Sequence, residues 1–246
     1  MFQYTVQPGD TLTKIAQAQC NGSITADKIA ADNHITNRDL IFVGQVLELD
    51  CVGHAAAPVP HQFLFGVDAS ERVNWQTAKN NGAVFAFSEF FGNNGSRPNI
   101  HFSENWDGMK AVNLIRGAYH LILPSVDVTY QANLFVDQVK LAPTDFPPVL
   151  DVEARGVTAS QLRTWLSIVE AGTHRKPIIY TSQGRWISSS NFGDYPLWVA
   201  NYGASTPAMP RGWTKWLFWQ YQAKTSFDNN YFNGTLDDLN NFVATH

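Results

Sequence analysis

Cysteine is nearly absent from this chain: Cys20 and Cys51 are the only two in 246 residues. Two thiols cannot build the multiply bridged scaffold of a small secreted domain, and they show no metal-ligand spacing. The seven histidines show none either, so neither a metal nor another cofactor is expected. Basic charge is also scarce. With 17 Lys and Arg against 21 Asp and Glu the net charge is −4, which leaves no cationic footprint for nucleic acid or for an anionic membrane. No apolar run reaches bilayer length, so no membrane span is expected. Met1-Phe2-Gln3-Tyr4 lacks a signal-peptide layout. No glycine-rich phosphate loop follows any strand-like segment, which removes the main support for an open nucleotide-binding sheet.

What is present is apolar and aromatic. Hydrophobic residues make up 44% of the chain and aromatics 13%, including eight tryptophans, enough for a real core; exposed aromatics often stack on sugar rings, although packing accounts for most of these. The length fits one large domain or two unequal ones, and the texture of the sequence favours two. Residues 4–50 read as a β-α-α-β unit: Tyr4-Thr5-Val6, a turn at Gln7-Pro8-Gly9-Asp10, Leu12, Ile15 and Ala16 at helical spacing, a short helix from Ser23 to Asn33, and a strand after Gly44-Gln45. Residues 52–62 (Ala-Pro-Val-Pro among small residues) read as a semi-rigid linker. The expected division is therefore 1–51, 52–62 and 63–246.

From Phe63 onward, apolar strands alternate with helical segments, the signature of a parallel sheet. Helices are expected over 73–79, 111–115, 129–139 and 160–169. After Thr181 the strands crowd together with few helix signals between them. Polar and aromatic residues recur at the strand ends: Asp68, Glu89, Tyr119-His120, Asp151 with Glu153, Tyr180, Asn201-Tyr202 and Gln220. In a β/α barrel those ends meet at one mouth. The expected fold class is α/β, an incomplete (β/α) barrel with few helices in its last third, preceded by the small βααβ module.

One stretch concentrates the chemistry. Pro147-Pro148 stops the preceding segment, Val149-Leu150 begins a buried strand, and Asp151 and Glu153 end it. Side chains at i and i+2 of a strand share a face, roughly 6.6 Å apart along the chain. Two like charges delivered together by an apolar strand should raise at least one pKa, as a general acid requires. A strand end emerging into water is the bland alternative.

The first unit closely resembles the lysin motif (LysM), on Tyr4-Thr5-Val6-Gln7-Pro8-Gly9-Asp10-Thr11-Leu12, Ile15-Ala16, Asn33 and Val43-Gly44-Gln45-Val46-Leu47. The resemblance implies binding of N-acetylglucosamine polymers, peptidoglycan or chitin, in a groove between the loop after the first strand and the loop after the second helix. It nominates Gly9, Asp10, Thr11 and Asn33, although the turn needs Gly9 and Asp10 with or without sugar. Cys20 and Cys51 sit at two ends of this small module, so a disulfide is expected if the protein is exported. Two free thiols are the alternative.

Residues 65–242 resemble glycoside hydrolase family 25, the lysozymes or muramidases. The matching pieces are Gly66-Val67-Asp68-Ala69-Ser70, Asn74-Trp75, Gly117-Ala118-Tyr119-His120, Leu150-Asp151-Val152-Glu153, Ile179-Tyr180-Thr181, Leu197-Trp198-Val199-Ala200, Tyr202-Gly203, Trp219-Gln220-Tyr221 and Asp238-Leu239-Asn240. The resemblance implies Glu153 as general acid/base, Asp151 as the group that orients the substrate acetamide or balances charge, and Asp68 and Asp238 as two further active-site acids. It implies sugar contacts from Tyr119, Tyr180, Trp219, Gln220 and Asn201. His120, next to Tyr119, should face away into the core. One departure stands out: Phe87-Ser88-Glu89-Phe90-Phe91-Gly92 occupies the place of the family's Lys-Ala-Thr-Glu-Gly, which alters that side of the cleft. A retaining, inverting or acetamide-assisted route all remain open. The implied partner is bacterial peptidoglycan, with chitin a second LysM ligand. A monomer acting outside the cell, or in phage lysis, is expected. The competing readings are a chitinase and a non-catalytic glycan-binding protein.

Overall fold

A computed structural model describes residues 2–20, 24–51, 63–92, 95, 97–187 and 191–246. The expected linker, 52–62, and Ser23 lie outside the described residues.

The N-terminal unit has the expected order: β1 (Phe2–Thr5), α1 (Leu12–Cys20), α2 (Ala26–Asp32) and β2 (Val46–Leu49). The two strands pair antiparallel, from Phe2 opposite Leu49 to Thr5 opposite Val46. Leu47 and Leu49 point inward from β2 and meet Leu12, Ile15, Ala16 and Ile29 from the helices. Thr25 starts α2 by accepting from the Lys28 N–H at 3.1 Å. Cys20 and Cys51 form a disulfide with their Cα atoms 5.2 Å apart, closing a loop of 31 residues. A loop of that length contributes on the order of 3–4 kcal/mol to a core this small.

The second unit is a closed eight-stranded barrel. Strands β3 (Phe63–Ala69), β4 (Phe85–Phe91), β5 (Ile115–Leu121), β6 (Val149–Asp151), β7 (Ile178–Ser182), β8 (Leu197–Ala200) and β9 (Phe218–Gln222) run parallel in chain order. The last strand, β10 (Asp228–Asn233), is antiparallel to both β9 and β3 and closes the ring. The barrel is thus incomplete in its helices, not in its strands. Helices α3 (Trp75–Asn80), α4 (Phe102–Ala111), α5 (Val128–Gln138) and α6 (Ala159–Thr173) cover the first half, and α7 (Leu236–Thr245) ends the chain.

Two expectations are corrected here. The helix expected over 111–115 ends where it was expected to begin: α4 stops at Ala111 and Ile115 already belongs to β5. Its polar first turns, Phe102-Ser103-Glu104-Asn105, carry little amphipathic signal. β10 was not anticipated, because Asp228-Asn229-Asn230 is poor in β-formers. Pairing on both edges overrides that propensity.

Strand alternation fills the interior. Phe85, Phe87, Trp198 and Phe218 point inward and pack with Phe146, the Phe87 ring lying 4.8 Å from Phe146 and 4.6 Å from Trp198. Gly66 and Gly117 make room for them; a Cβ at either would collide with the Phe85 or Phe87 ring. Leu239, Phe242 and Val243 of α7 join this cluster next to Phe218 and Phe232 and seal the floor. On the outer face of β5, His120 is fully buried between barrel and helices. It stacks on Phe91 at 4.4 Å, and its Nε2 meets the Gln131 Oε1 at 3.1 Å. Burial lowers its pKa to about 3, so the ring is neutral.

Candidate active site

With the floor plugged by rings, the open end of the barrel is the mouth formed by the C-terminal ends of the parallel strands. A cavity of about 200 Å³ there is lined by Asp68, Ser70, Glu89, Tyr119, Leu121, Asp151, Glu153, Tyr180, Trp198, Tyr202, Gln220 and Asp228. Period-two alternation delivers them: Asp68 follows Gly66 on the inner face of β3, Glu89 follows Phe85 and Phe87 on β4, and Gln220 follows Phe218 on β9.

Gln220 is the hub. Its Oε1 accepts from the Tyr180 hydroxyl at 2.7 Å and the Tyr202 hydroxyl at 2.6 Å. Its Nε2 donates to Asp68 Oδ1 at 2.8 Å and reaches Asp228 Oδ2 at 3.4 Å. Asn230 also donates to Asp68 Oδ1, at 2.7 Å, while its own Oδ1 accepts from the Trp198 indole at 2.9 Å. Each amide's orientation is therefore set by donors on one side and acceptors on the other. On the opposite wall Asn99 donates to Glu89 Oε1 at 2.8 Å and to the Ser70 carbonyl at 2.7 Å.

Five carboxyl groups, Asp68, Glu89, Asp151, Glu153 and Asp228, share this small space. Desolvation raises the pKa of Asp68, Asp151, Glu153 and Asp228, and repulsion from neighbouring carboxyl groups adds to it at the first three. Asp68 is pushed up to about 7, chiefly by burial and then by Asp228, against the hydrogen bonds from Asn230 and Gln220. Asp151 is raised well above the carboxylate range by burial, with Glu153, Glu89 and Asp68 adding repulsion. Its Oδ1 is buried without a hydrogen-bond partner. Glu153 remains solvent-exposed at the rim. Shielding by the walls still raises its pKa, Arg185 opposes that rise and Asp228 adds to it. Val152, just past the end of β6, donates to the Tyr180 carbonyl at 2.8 Å and ties the chain to β7 between Asp151 and Glu153, both of which line the mouth.

Of the residues nominated from sequence, Asp68, Asp151, Glu153, Tyr119, Tyr180 and Gln220 come together here. Three do not. Asp238 lies at the start of α7, where its Oδ2 accepts from the Thr235 N–H at 2.8 Å and the Thr235 hydroxyl at 2.7 Å in a capping box. Those bonds lower its pKa. The acid in the mouth from this part of the chain is Asp228, which pairs opposite Asp68 because β10 runs antiparallel and starts at the mouth. Trp219, one residue from Gln220, faces outward, packs against Trp216, Tyr221 and Tyr231, and donates to the Asn201 carbonyl at 2.8 Å. Asn201 holds its loop, its Oδ1 accepting from the Ala208 N–H at 2.7 Å. Asp228, Tyr202, Trp198 and Asn230 were missed as site residues. Only Trp198 and Tyr202 carried a usable signal, as inward or strand-end aromatics.

In the N-terminal unit the nominated residues have structural tasks. Gly9 turns at φ +83°. Asp10 accepts from the Tyr4 hydroxyl and the Gln7 N–H, each at 2.7 Å. Thr11 caps α1 through Lys14. Asn33 bonds the Ile29 carbonyl and both backbone groups of Glu48, clamping α2 to β2.

Among the described residues no cluster of His, Cys, Asp and Glu has the makings of a metal site, and no helix is long and apolar enough to cross a membrane.

Two family models match the chain: the LysM domain over residues 4–50 and glycosyl hydrolases family 25 over residues 67–230. The Escherichia coli K12 protein YegX is 36% identical over 201 residues, covering 73% of both chains. Lysozyme M1 of Streptomyces globisporus is 30% identical over 204 residues, 71% of this chain and 69% of that one. Among solved structures, a bacterial lysozyme from Streptomyces coelicolor superposes with a TM-score of 0.64 at 28% identity, over 74% of this chain and 98% of that one. A family GH25 lysozyme from Aspergillus fumigatus gives 0.66 at 25% identity, over 74% and 100%. The chain belongs to glycosyl hydrolases family 25, carries a LysM domain ahead of its barrel, and is a glycoside hydrolase of the lysozyme class.

Proposed function

We propose that this peptidoglycan hydrolase cleaves the β-1,4 bond between N-acetylmuramic acid and N-acetylglucosamine, with Glu153 as general acid/base and Asp151 as the holder of the substrate acetamide. The observation that carries the assignment is the asymmetry of the pair. Both groups line one cavity, but Glu153 reaches solvent while Asp151 is buried with an unpartnered oxygen. Glu153 is placed to give its proton to the leaving glycosidic oxygen, and its raised pKa keeps that proton nearer neutral pH. Burial raises the pKa of Asp151 and leaves its Oδ1 without a hydrogen-bond partner, an acceptor for the acetamide N–H. The acetamide carbonyl oxygen of the muramic acid then attacks C1 as the C1–O bond breaks. Water opens the resulting ring, and Glu153 takes the proton back. Such a double displacement retains configuration.

Asp68 and Asp228 raise the proton affinity of the pair, and Tyr119, Tyr180 and Tyr202 wall the sugar site. The LysM domain raises the local concentration of wall polymer; its resemblance extends its ligands to chitin. The protein acts at the cell wall, after secretion or phage-driven lysis, as a monomer. Purified peptidoglycan digested and then reduced with borohydride tests the bond. Reduced muramic acid ends are expected from the wild type and none from Glu153→Gln. Reduced glucosamine ends would overturn the assignment.

A further inference from the structure

A larger cavity, about 1080 Å³, lies where the LysM loops meet the barrel. Pro8, in the loop after β1, and Ile41, Phe42 and Val43, in the loop before β2, form one wall. Tyr221, Asn229 and the 223–227 turn form the other. The contact is close. Gly82 of the barrel, at φ +89°, lies against Val43, and a Cβ there would collide with the Val43 carbonyl. Val43 packs on the barrel cluster that contains Trp75 and Leu114.

A series of shared lining residues leads from this cavity to the mouth. A shallow cavity lined by Tyr202, Gly203, Ala204, Tyr221, Gln222 and Ala223 lies between them. It shares Tyr202 with the mouth and Tyr221 and Ala223 with the LysM junction. The track's chemistry suits a neutral, hydroxylated polymer. Tyr221 stacks on Tyr231 at 4.1 Å and 8°, Phe42 is 55% exposed, and Thr77, Asn80 and Asn81 present hydroxyl and amide groups. One group points to a ligand. Asn229 is 4% exposed and its Nδ2 donates to Gln222 at 2.9 Å, yet its Oδ1 is buried with no hydrogen-bond partner. A buried acceptor left open in this way is costly unless something fills it.

We propose that the LysM domain and the barrel jointly form a distal glycan subsite, with Phe42 on one side and Asn229 on the other, joined to the catalytic mouth by the Tyr202–Tyr221 track. A single glycan strand then engages both domains at once, and the LysM groove is completed by the barrel. The inference rests on the mouth being the cleavage site, and the test separates the two. Cleavage is compared on long peptidoglycan strands and on a short soluble oligosaccharide that fills only the mouth. Phe42→Ala, Asn80→Ala and Asn229→Ala are each expected to lower kcat/KM on long strands by about two- to tenfold, the size of one lost ring contact or hydrogen bond. The short substrate should be cut at the wild-type rate. Lengthening the 52–62 linker with glycine and serine, which keeps the tether but loosens the docking, should reproduce the loss. Long-strand rates unchanged in the three substitutions and in the long-linker variant would overturn the joint subsite. A wild type that leaves the short substrate intact would instead overturn the mouth assignment. Asn80→Ala and Phe42→Ala are surface changes, so a fold defect in Asn229→Ala leaves the test decisive.

Discussion

The two ends of the barrel use the same residue types for opposite purposes. At the mouth, five carboxyl groups crowd a cavity of about 200 Å³; Asp68, Asp151, Glu153 and Asp228 all have raised pKa values there. At the floor, rings fill the interior and α7 closes over them, and the acid at its start, Asp238, has a lowered pKa because it accepts two hydrogen bonds in the open. An aspartate that stabilises structure is charged, wet and capped. Asp151, at the mouth, is crowded, dry and partly unpaired. The mouth gives up stability to hold that arrangement, whereas the floor supplies it.

The largest expected effect separates the ends outright. Glu153→Gln should lower kcat on peptidoglycan by about 10²–10⁴-fold with an unchanged melting temperature, since the residue is exposed and supplies only the proton. Next comes the direct comparison of Asp228→Asn with Asp238→Asn. Removing the Asp228 charge relieves Glu153 of a repulsion. Its pKa should fall, and the alkaline limb of the kcat/KM profile should move to lower pH. Asp238→Asn should leave that profile in place and cost only a small drop in melting temperature from the weakened cap. Equal profiles for the two variants would mean that Asp228 has no electrostatic hold on the site.

A smaller effect bears on stability. The folded-state pKa of Asp68, about 7, lies above its ordinary value of 3.8. The folded state binds that proton more tightly, so this group's contribution is fully present below pH 3.8 and is lost as pH rises through 7. Asp68→Asn keeps the acceptor for Gln220 and Asn230 but removes the charge. At pH 8 it should melt a few degrees higher than wild type, on the order of 2–4 °C for each kcal/mol gained, while losing activity. The gain should vanish near pH 4. The smallest effect is confined to the LysM unit, where reducing Cys20–Cys51 should lower its own unfolding transition and leave the barrel's unchanged.

Much of this was legible in the sequence because the relevant signals are local. The i, i+2 spacing of Asp151 and Glu153 points both at the mouth, although the strand that Pro147-Pro148 introduces ends at Asp151 and Glu153 lies just beyond it. His120 reads as a core residue from its place beside Tyr119. Trp219 was misplaced although the same rule applied: with Gln220 facing the mouth, its neighbour had to face out. Asp228 was hidden for a different reason. A search of strand C-termini assumes that every strand runs the same way, and β10 reverses. Its first residue, not its last, sits at the mouth, and nothing in Asp228-Asn229-Asn230 announces a strand. Glu89 is legible as the end of an inward-facing Phe85, Phe87, Glu89 series, although the loop that follows it departs from the family's pattern.

The central claim is that Asp151 holds the acetamide while Glu153 moves the proton. The most direct measurement is the anomer first formed when a soluble glycan oligomer is cleaved, followed by proton NMR before mutarotation, for the wild type and for Asp151→Asn. The account predicts the β-anomer first from the wild type and the same anomer, formed about 10²-fold more slowly, from the variant. An α-anomer formed first would contradict it, showing direct inversion by water with Asp151 in a different role.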